Sequence, residues 1–215
     1  MAILKSNLPD GFSGKTGNEV VYLLNGKWVK RSIGTRKKTQ SIPLLASQQR
    51  MKLMNSFLKA ANTFFKTGFG LIASLEMKSP YCVAYSFNHK AVQGVYPNQF
   101  IDYSKLIWSE GTLENSPAVN VNIALNGLEF TWETSTESSN SRSNDHVMLM
   151  AYLPEKELAI FETSGNKRAL GIDTLILPAS KEQIIVETYI CFIASDHSSI
   201  STSIYTGRFT WGVNY

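Results

Sequence analysis

The strongest local pattern lies near the start of the chain, where Val20-Val21-Tyr22-Leu23-Leu24 and Lys27-Trp28-Val29-Lys30-Arg31 flank Asn25-Gly26. Asn-Gly readily takes two positive φ angles, so the segment predicts a β-hairpin closed by a two-residue type I′ turn. That loop length sets the register: Leu23 faces Trp28 and Tyr22 faces Val29, which leaves apolar residues on both sides of the ribbon. A lone two-stranded ribbon is only marginally stable in water, so both faces need cover, from the same domain or from another chain. Beyond the hairpin, Lys30, Arg31, Arg36, Lys37 and Lys38 form a basic arm with no hydrophobic period, which reads as loop.

After Pro43 the period changes. Met51, Met54, Leu58, Ala61 and Phe65 recur at three and four, with Phe57 and Phe64 widening the stripe, and this predicts an amphipathic helix of about twenty residues that stops near Gly68. A second helix is expected from Ser79-Pro80, a hydroxyl N-cap followed by proline, carrying Tyr81, Ala84, Tyr85, Asn88 and Val92 before Gly94 and Pro97 end it. The polar, turn-rich run 109–117 then marks a domain boundary, because the hydrophobic period beyond it is two. Val119, Val121, Ile123 and Leu125 alternate with polar residues up to Asn126-Gly127, and Leu128, Phe130 and Trp132 alternate after it. Five further strands are expected at 147–152, 158–161, 174–177, 184–193 and 201–211.

The predicted fold is an α+β N-terminal region, a β-hairpin plus two helices over residues 1–112, followed by an all-β immunoglobulin- or fibronectin type III-like sandwich over 118–215. Trp132 is its expected core tryptophan and Tyr189 a candidate tyrosine corner. The Ser-rich stretch 134–144 reads as a mobile connector between two strands.

Composition narrows the class. With 215 residues, 43% hydrophobic and 18% charged, the chain is long enough to bury a core without metal or disulfide staples. It holds no apolar run of the roughly 20 residues that a bilayer span needs, and its first ten residues lack the apolar core of a secretion signal. Two cysteines, Cys82 and Cys191, fit a reducing compartment, so the expected location is the bacterial cytoplasm or a virion, with no membrane partner. The net charge of +4 is segregated: residues 1–60 hold 11 Lys or Arg against Asp10 and Glu19, a net of +9, and residues 61–215 hold 10 against 15 acids, a net of −5. A basic end of that kind implies a negative partner, or else simply a solvated loop.

Candidate chemistry is sparse. Gly11-Phe12-Ser13-Gly14-Lys15-Thr16-Gly17 lacks the strand-loop-helix context of a phosphate-binding loop, so its glycines are expected to form turns. Cys82 and His89, seven apart on one helix face, give two ligands where a zinc site needs four. His146 and His197 have no nucleophile at a telling spacing, and the acidic residues form no motif. No catalytic residue, metal or cofactor is expected.

Gly11–Gly17, Asn25–Ser32, Gln49-Arg50, Gly68-Phe69, Ile101–Lys105, Phe130-Thr131-Trp132, Arg168 with Gly171, Leu177-Pro178, Glu187-Thr188-Tyr189 and Ser203 with Tyr205 and Gly207 together resemble a domain-of-unknown-function family of Bacteroidota. The resemblance covers nearly the whole chain. Glu110 departs from it, standing where arginine is common, as does the approach to Gln49-Arg50, which lacks a proline-threonine-alanine run. Members have no assigned activity, and their size and N-terminal pattern are similar to those of phage or prophage structural proteins. The resemblance thus implies a non-enzymatic subunit of a virion-like assembly that binds copies of itself or other virion-type proteins. Trp28, Lys30, Arg31, Arg36, Lys37 and Lys38 are the candidate interaction residues. The alternatives are a nucleic-acid-binding protein that uses the same basic arm on phosphates, and a glycan or adhesion module that uses the sandwich loops.

Overall fold

The predicted hairpin forms one side of a larger sheet. In the computed structural model, which describes residues 3–4, 12–24, 26–35, 40–134 and 143–212, strands β1 (Ile3–Leu4), β2 (Phe12–Thr16), β3 (Glu19–Leu24) and β4 (Lys27–Ser32) form one antiparallel sheet in chain order. Leu23 pairs with Trp28 and Tyr22 with Val29, the register a two-residue loop dictates. Gly26 takes φ +76°, while Asn25 lies outside the described residues. Strands β1 and β2, which the sequence pattern does not announce, thus extend the hairpin to four strands. The Gly-rich run does hold a turn glycine, Gly17 at φ +58°, but most of it is strand β2 on the open side of β3. These strands belong to the first of two compact units, Met1–Ser41 and Ile42–Tyr215.

The larger unit begins with four helices: α1 (Ile42–Ala60), α2 (Asn62–Gly68), α3 (Gly70–Leu75) and α4 (Pro80–Asn88). The expected single helix up to Gly68 is broken at Ala61, where φ is −126° and ψ is 29°. Its second piece, α2, ends at Gly68 as expected, and the chain passes through Phe69 into α3. Gly68 also serves packing: a Cβ there would collide with the backbone carbonyl of Trp108. Of the predicted stripe, Met51 is 52% exposed, and burial starts at Met54 and continues through Phe57, Leu58, Ala61, Phe64 and Phe65. At α4 the Ser79 hydroxyl accepts from the Cys82 amide at 3.2 Å, the cap its sequence promised. This helix ends at Asn88, earlier than expected. The buried Asn88 amide donates to the carbonyls of Ala84 (2.9 Å) and Ile107 (2.8 Å) and accepts from the Ile107 amide (2.7 Å). Val92 thus lies on β5 (Val92–Gln93), paired with β6 (Phe100–Ile101), and not on the helix.

Seven antiparallel strands follow: β7 (Asn120–Ala124), β8 (Gly127–Thr131), β9 (His146–Leu153), β10 (Leu158–Glu162), β11 (Ile172–Ile176), β12 (Ile184–Ile193) and β13 (Ile204–Trp211). They form a four-stranded sheet ordered β10-β9-β12-β13 and a three-stranded sheet ordered β11-β8-β7. The turn between β7 and β8 is Leu125-Asn126, one residue earlier than the Asn-Gly reading places it, since Gly127 pairs with Ala124 inside the ladder. Gly127 is needed there because a Cβ would run into the Leu175 carbonyl of β11.

The four-stranded sheet is the middle of three layers. From β9, Met148, Met150 and Tyr152 point to a core shared with Phe57, Phe64, Phe65 and Trp108, while Val147, Leu149, Ala151 and Leu153 point to a second core with Leu128, Phe130 and Trp132 of the smaller sheet. Trp132 fills that core as expected, its indole N–H donating to the Arg168 carbonyl at 2.8 Å. Tyr189 faces the helical layer instead, and its hydroxyl donates to the Tyr103 carbonyl at 2.7 Å, so it is not a tyrosine corner. The run 109–117 lies inside the larger unit. Ser109 donates to the Ser201 carbonyl (2.8 Å), the Leu113 amide to the Ile200 carbonyl (3.0 Å) and Asn115 to the Thr202 carbonyl (2.7 Å), which ties the helical layer to the strands. The molecule is thus α+β, with a few helices and many antiparallel strands in several sheets. No helix among the described residues is long and apolar enough to cross a membrane.

Candidate functional site

In the N-terminal sheet, side chains directly opposite each other across a ladder share a face, so its register sorts the candidate residues. The pairs Leu24–Lys27, Tyr22–Val29 and Val20–Arg31 lie on one face, with Lys15 of β2 opposite Val20. The pairs Leu23–Trp28, Val21–Lys30 and Glu19–Ser32 lie on the other. The structure thus separates residues that sequence reasoning grouped: Trp28 and Lys30 point one way and Arg31 the other. Arg36, Lys37 and Lys38 lie outside the described residues.

The two faces differ in charge. Glu19 is the one acid among the described residues of this unit, and its carboxylate meets the Lys30 ammonium at 3.2 Å. Both groups are about half exposed, so the pair adds little stability. Leu23, 55% exposed, and the half-buried Trp28 lie on this face. The opposite face carries Lys15, Lys27 and Arg31 with no described acid, and the Arg31 guanidinium lies 6.0 Å from the Tyr22 ring centroid. At that distance the ring helps orient the cation. Sequence reasoning missed Lys15, Lys27 and Tyr22 as members of this face. The two-residue loop already placed Lys27 beside Arg31 through the period of two, whereas Lys15 could not be placed until β2 was known to pair with β3.

The titratable groups of the larger unit are dispersed. Glu187 is fully buried, yet its two carboxylate oxygens accept from the Tyr205 hydroxyl (2.7 Å) and from Arg208 Nε (2.7 Å). Burial and the Glu187 hydrogen bond push the Tyr205 phenol up to about 12, so it stays a neutral donor. Arg168 is buried above the Phe192 ring, 4.1 Å from its centroid, and donates to the Glu114 carbonyl at 2.6 Å. Asp145, also buried, lies 3.6 Å from its Nε. These are structural pairings with their hydrogen-bonding groups turned inward.

The cysteine and histidine pair does not meet as a site: Cys82 is exposed, and His89 hydrogen-bonds the Ser86 carbonyl at 2.8 Å while stacking on Tyr85. His146 is likewise bound to a carbonyl, that of Gly165, at 2.8 Å. Among the described residues no group of three or more His, Cys, Asp or Glu is placed to hold a metal ion. The face of the N-terminal sheet that carries Lys15, Lys27 and Arg31 is therefore the candidate site.

No curated protein and no solved structure matches the chain. Residues 28–207 match a family of unknown function, DUF6266, from the hairpin strand β4 into the last strand β13. That span takes in the helical layer and both sheets of the larger unit, and the chain accordingly belongs to the DUF6266 family.

Proposed function

We propose that the chain is a non-enzymatic building block of a multi-subunit assembly, a phage virion or a phage-derived particle, in which the basic N-terminal unit of one copy docks on an acidic surface of the next. The observation that carries this reading is the segregation of charge by folding unit. Residues 1–41 hold eight Lys or Arg against two acids, a net of +6, and residues 42–215 hold 13 against 15, a net of −2. Opposite signs on two units of one chain favour a head-to-tail contact, which closes as a ring or extends as a filament. The sandwich supports the same reading. A sheet of three strands facing one of four over a buried tryptophan supports a fibronectin type III-like reading, and modules of that kind serve mostly in binding and spacing, an argument by analogy of fold.

The test is sedimentation velocity across a salt series. Oligomers present at low salt should dissociate as salt rises, because exposed charge pairs are screened, and residues 42–215 alone should remain a folded monomer. A full-length chain that is monomeric at every salt concentration overturns the proposal. The alternative on nucleic acid draws on the acid-free face of Lys15, Lys27 and Arg31. Three phosphate contacts would give a slope of about −2 in log affinity against log salt on a single strand, and filter binding with no retention at low salt removes that alternative.

A further inference from the structure

Two of the clefts on the larger unit differ in how fully their polar groups are used. The larger, about 390 Å³, runs between strands β10 and β11. Its carboxylates are already engaged: Asp173 accepts from the Asn166 amide (2.7 Å) and its own neighbour Thr174 (2.8 Å), and Glu162 accepts from Ser164 (3.1 Å). The smaller, about 220 Å³, lies between α1, the end of β9 and the segment around β6. Phe57, Tyr103 and Tyr152 line it, with ring centroids 5.4 Å apart for Phe57–Tyr152 and 5.7 Å for Tyr103–Tyr152. Gln99 Oε1 is buried at this cleft without any hydrogen-bond partner. Glu157, exposed at its rim, makes no ion pair among the described residues.

A buried amide oxygen without a donor is costly, and a carboxylate beside it adds a second acceptor and a negative charge. The other charges around Tyr103 offset each other in pairs, Asp102 with Lys105 (2.8 Å) and Glu187 with Arg208 (2.7 Å), which leaves Glu157 as the excess. Burial raises the Tyr103 and Tyr152 phenols, with the Glu157 charge a lesser cause, so these remain neutral hydroxyls and the cleft gains no further negative charge from them. Two acceptors, one net negative charge and an aromatic lining suit a flat, donor-rich cation on an apolar stem, which describes an arginine side chain, with lysine the poorer fit.

We propose that this cleft, with Gln99 and Glu157 as acceptors over Phe57, Tyr103 and Tyr152, receives an arginine side chain from the basic N-terminal unit of a second copy of the chain. The inference rests on the docking reading above and names its acceptor surface. Arg31 and Arg36 are the arginines of that unit.

The test is a complementation experiment with full-length chains. Gln99→Leu with Glu157→Gln disables the cleft, and Gln99→Leu removes a buried orphan acceptor, so the fold should not suffer. Arg31→Glu with Arg36→Glu, Lys37→Glu and Lys38→Glu disables the arm. The cleft variant alone should self-associate about ten- to a hundredfold more weakly than the parent, the loss of one charge-assisted contact, and the arm variant, with four charges reversed, at least as much more weakly. Mixed in equal amounts, the two should form heterodimers that neither forms alone. If the cleft variant assembles like the parent while the arm variant does not, the cleft assignment is overturned and the docking reading stands. If the parent itself is a salt-indifferent monomer, both fall.

Discussion

Replacing Phe57 by alanine tests whether the helices and the sheets are one cooperative body. Phe57 is on α1, fully buried, and its ring meets Phe65 (5.7 Å), Trp108 (4.8 Å) and Tyr152 (5.4 Å), all in edge-on geometry. Tyr152 belongs to β9 and Trp108 to the segment joining helices to strands, so the removed ring touches both layers. Truncating a buried phenylalanine costs about 3–5 kcal/mol in transfer and cavity terms. For a unit of this size, each kcal/mol lowers Tm by about 2–4 °C, which gives a fall of about 6–20 °C. The assay is thermal unfolding of residues 42–215, followed at once by far-ultraviolet circular dichroism, which the helices dominate, and by tryptophan fluorescence, to which Trp132 and Trp211 of the second core contribute. Because the middle sheet carries both cores, the two signals should fall together in the parent and in the variant. A helical signal that melts early while fluorescence keeps the parental midpoint would refute the shared core.

Three further outcomes follow from the geometry. Gly127→Ala drives a methyl into the Leu175 carbonyl and should lower the urea midpoint far more than Gly26→Ala, where the added Cβ meets nothing within 4 Å and only the strain of φ +76° remains, about 1 kcal/mol. Cys82 is exposed and should react at once with a thiol reagent, whereas Cys191 should react only at the rate of global unfolding. Burial pushes the Cys191 thiol from 9.0 up to about 12, so the unfolded chain loses this proton first as pH rises. The associated stability is present below pH 9 and lost between pH 9 and about 12, and a Cys191→Ala variant should show a flatter alkaline limb in denaturant melts.

Period and turn chemistry made much of the second unit legible in the sequence. Strand β12 falls where the apolar run 184–193 places it, and the Ser79 cap holds as read. What failed did so for tertiary reasons. Asn88 ends α4 because its amide is claimed by Ile107, 19 residues on, and no local signal announces that bond. Residues 109–117 look like a linker because they are polar, yet Ser109 and Asn115 spend that polarity on the carbonyls of Ser201 and Thr202. Arg31 stands out in the sequence as a candidate, but the face it shares with Lys15 depends on a strand pairing that Gly-rich composition conceals. The cleft was out of reach altogether, since Phe57, Gln99 and Glu157 meet only after three elements fold together.

Strand β9 is buried along nearly its whole length because both its sides are dry. In a sheet with one wet side, sliding a strand by one position would throw its apolar set into solvent, and that penalty fixes alignment. Here the penalty vanishes for β9 and β12, so alignment must be keyed by polar contacts. Glu187, locked to Tyr205 and Arg208, supplies one key, and the Thr188 hydroxyl, 2.7 Å from Thr206 beside the bulge, supplies another. A slipped β12 would strand a carboxylate in oil, and it is this rejected alternative, more than any apolar contact, that makes the central slab choose a single arrangement.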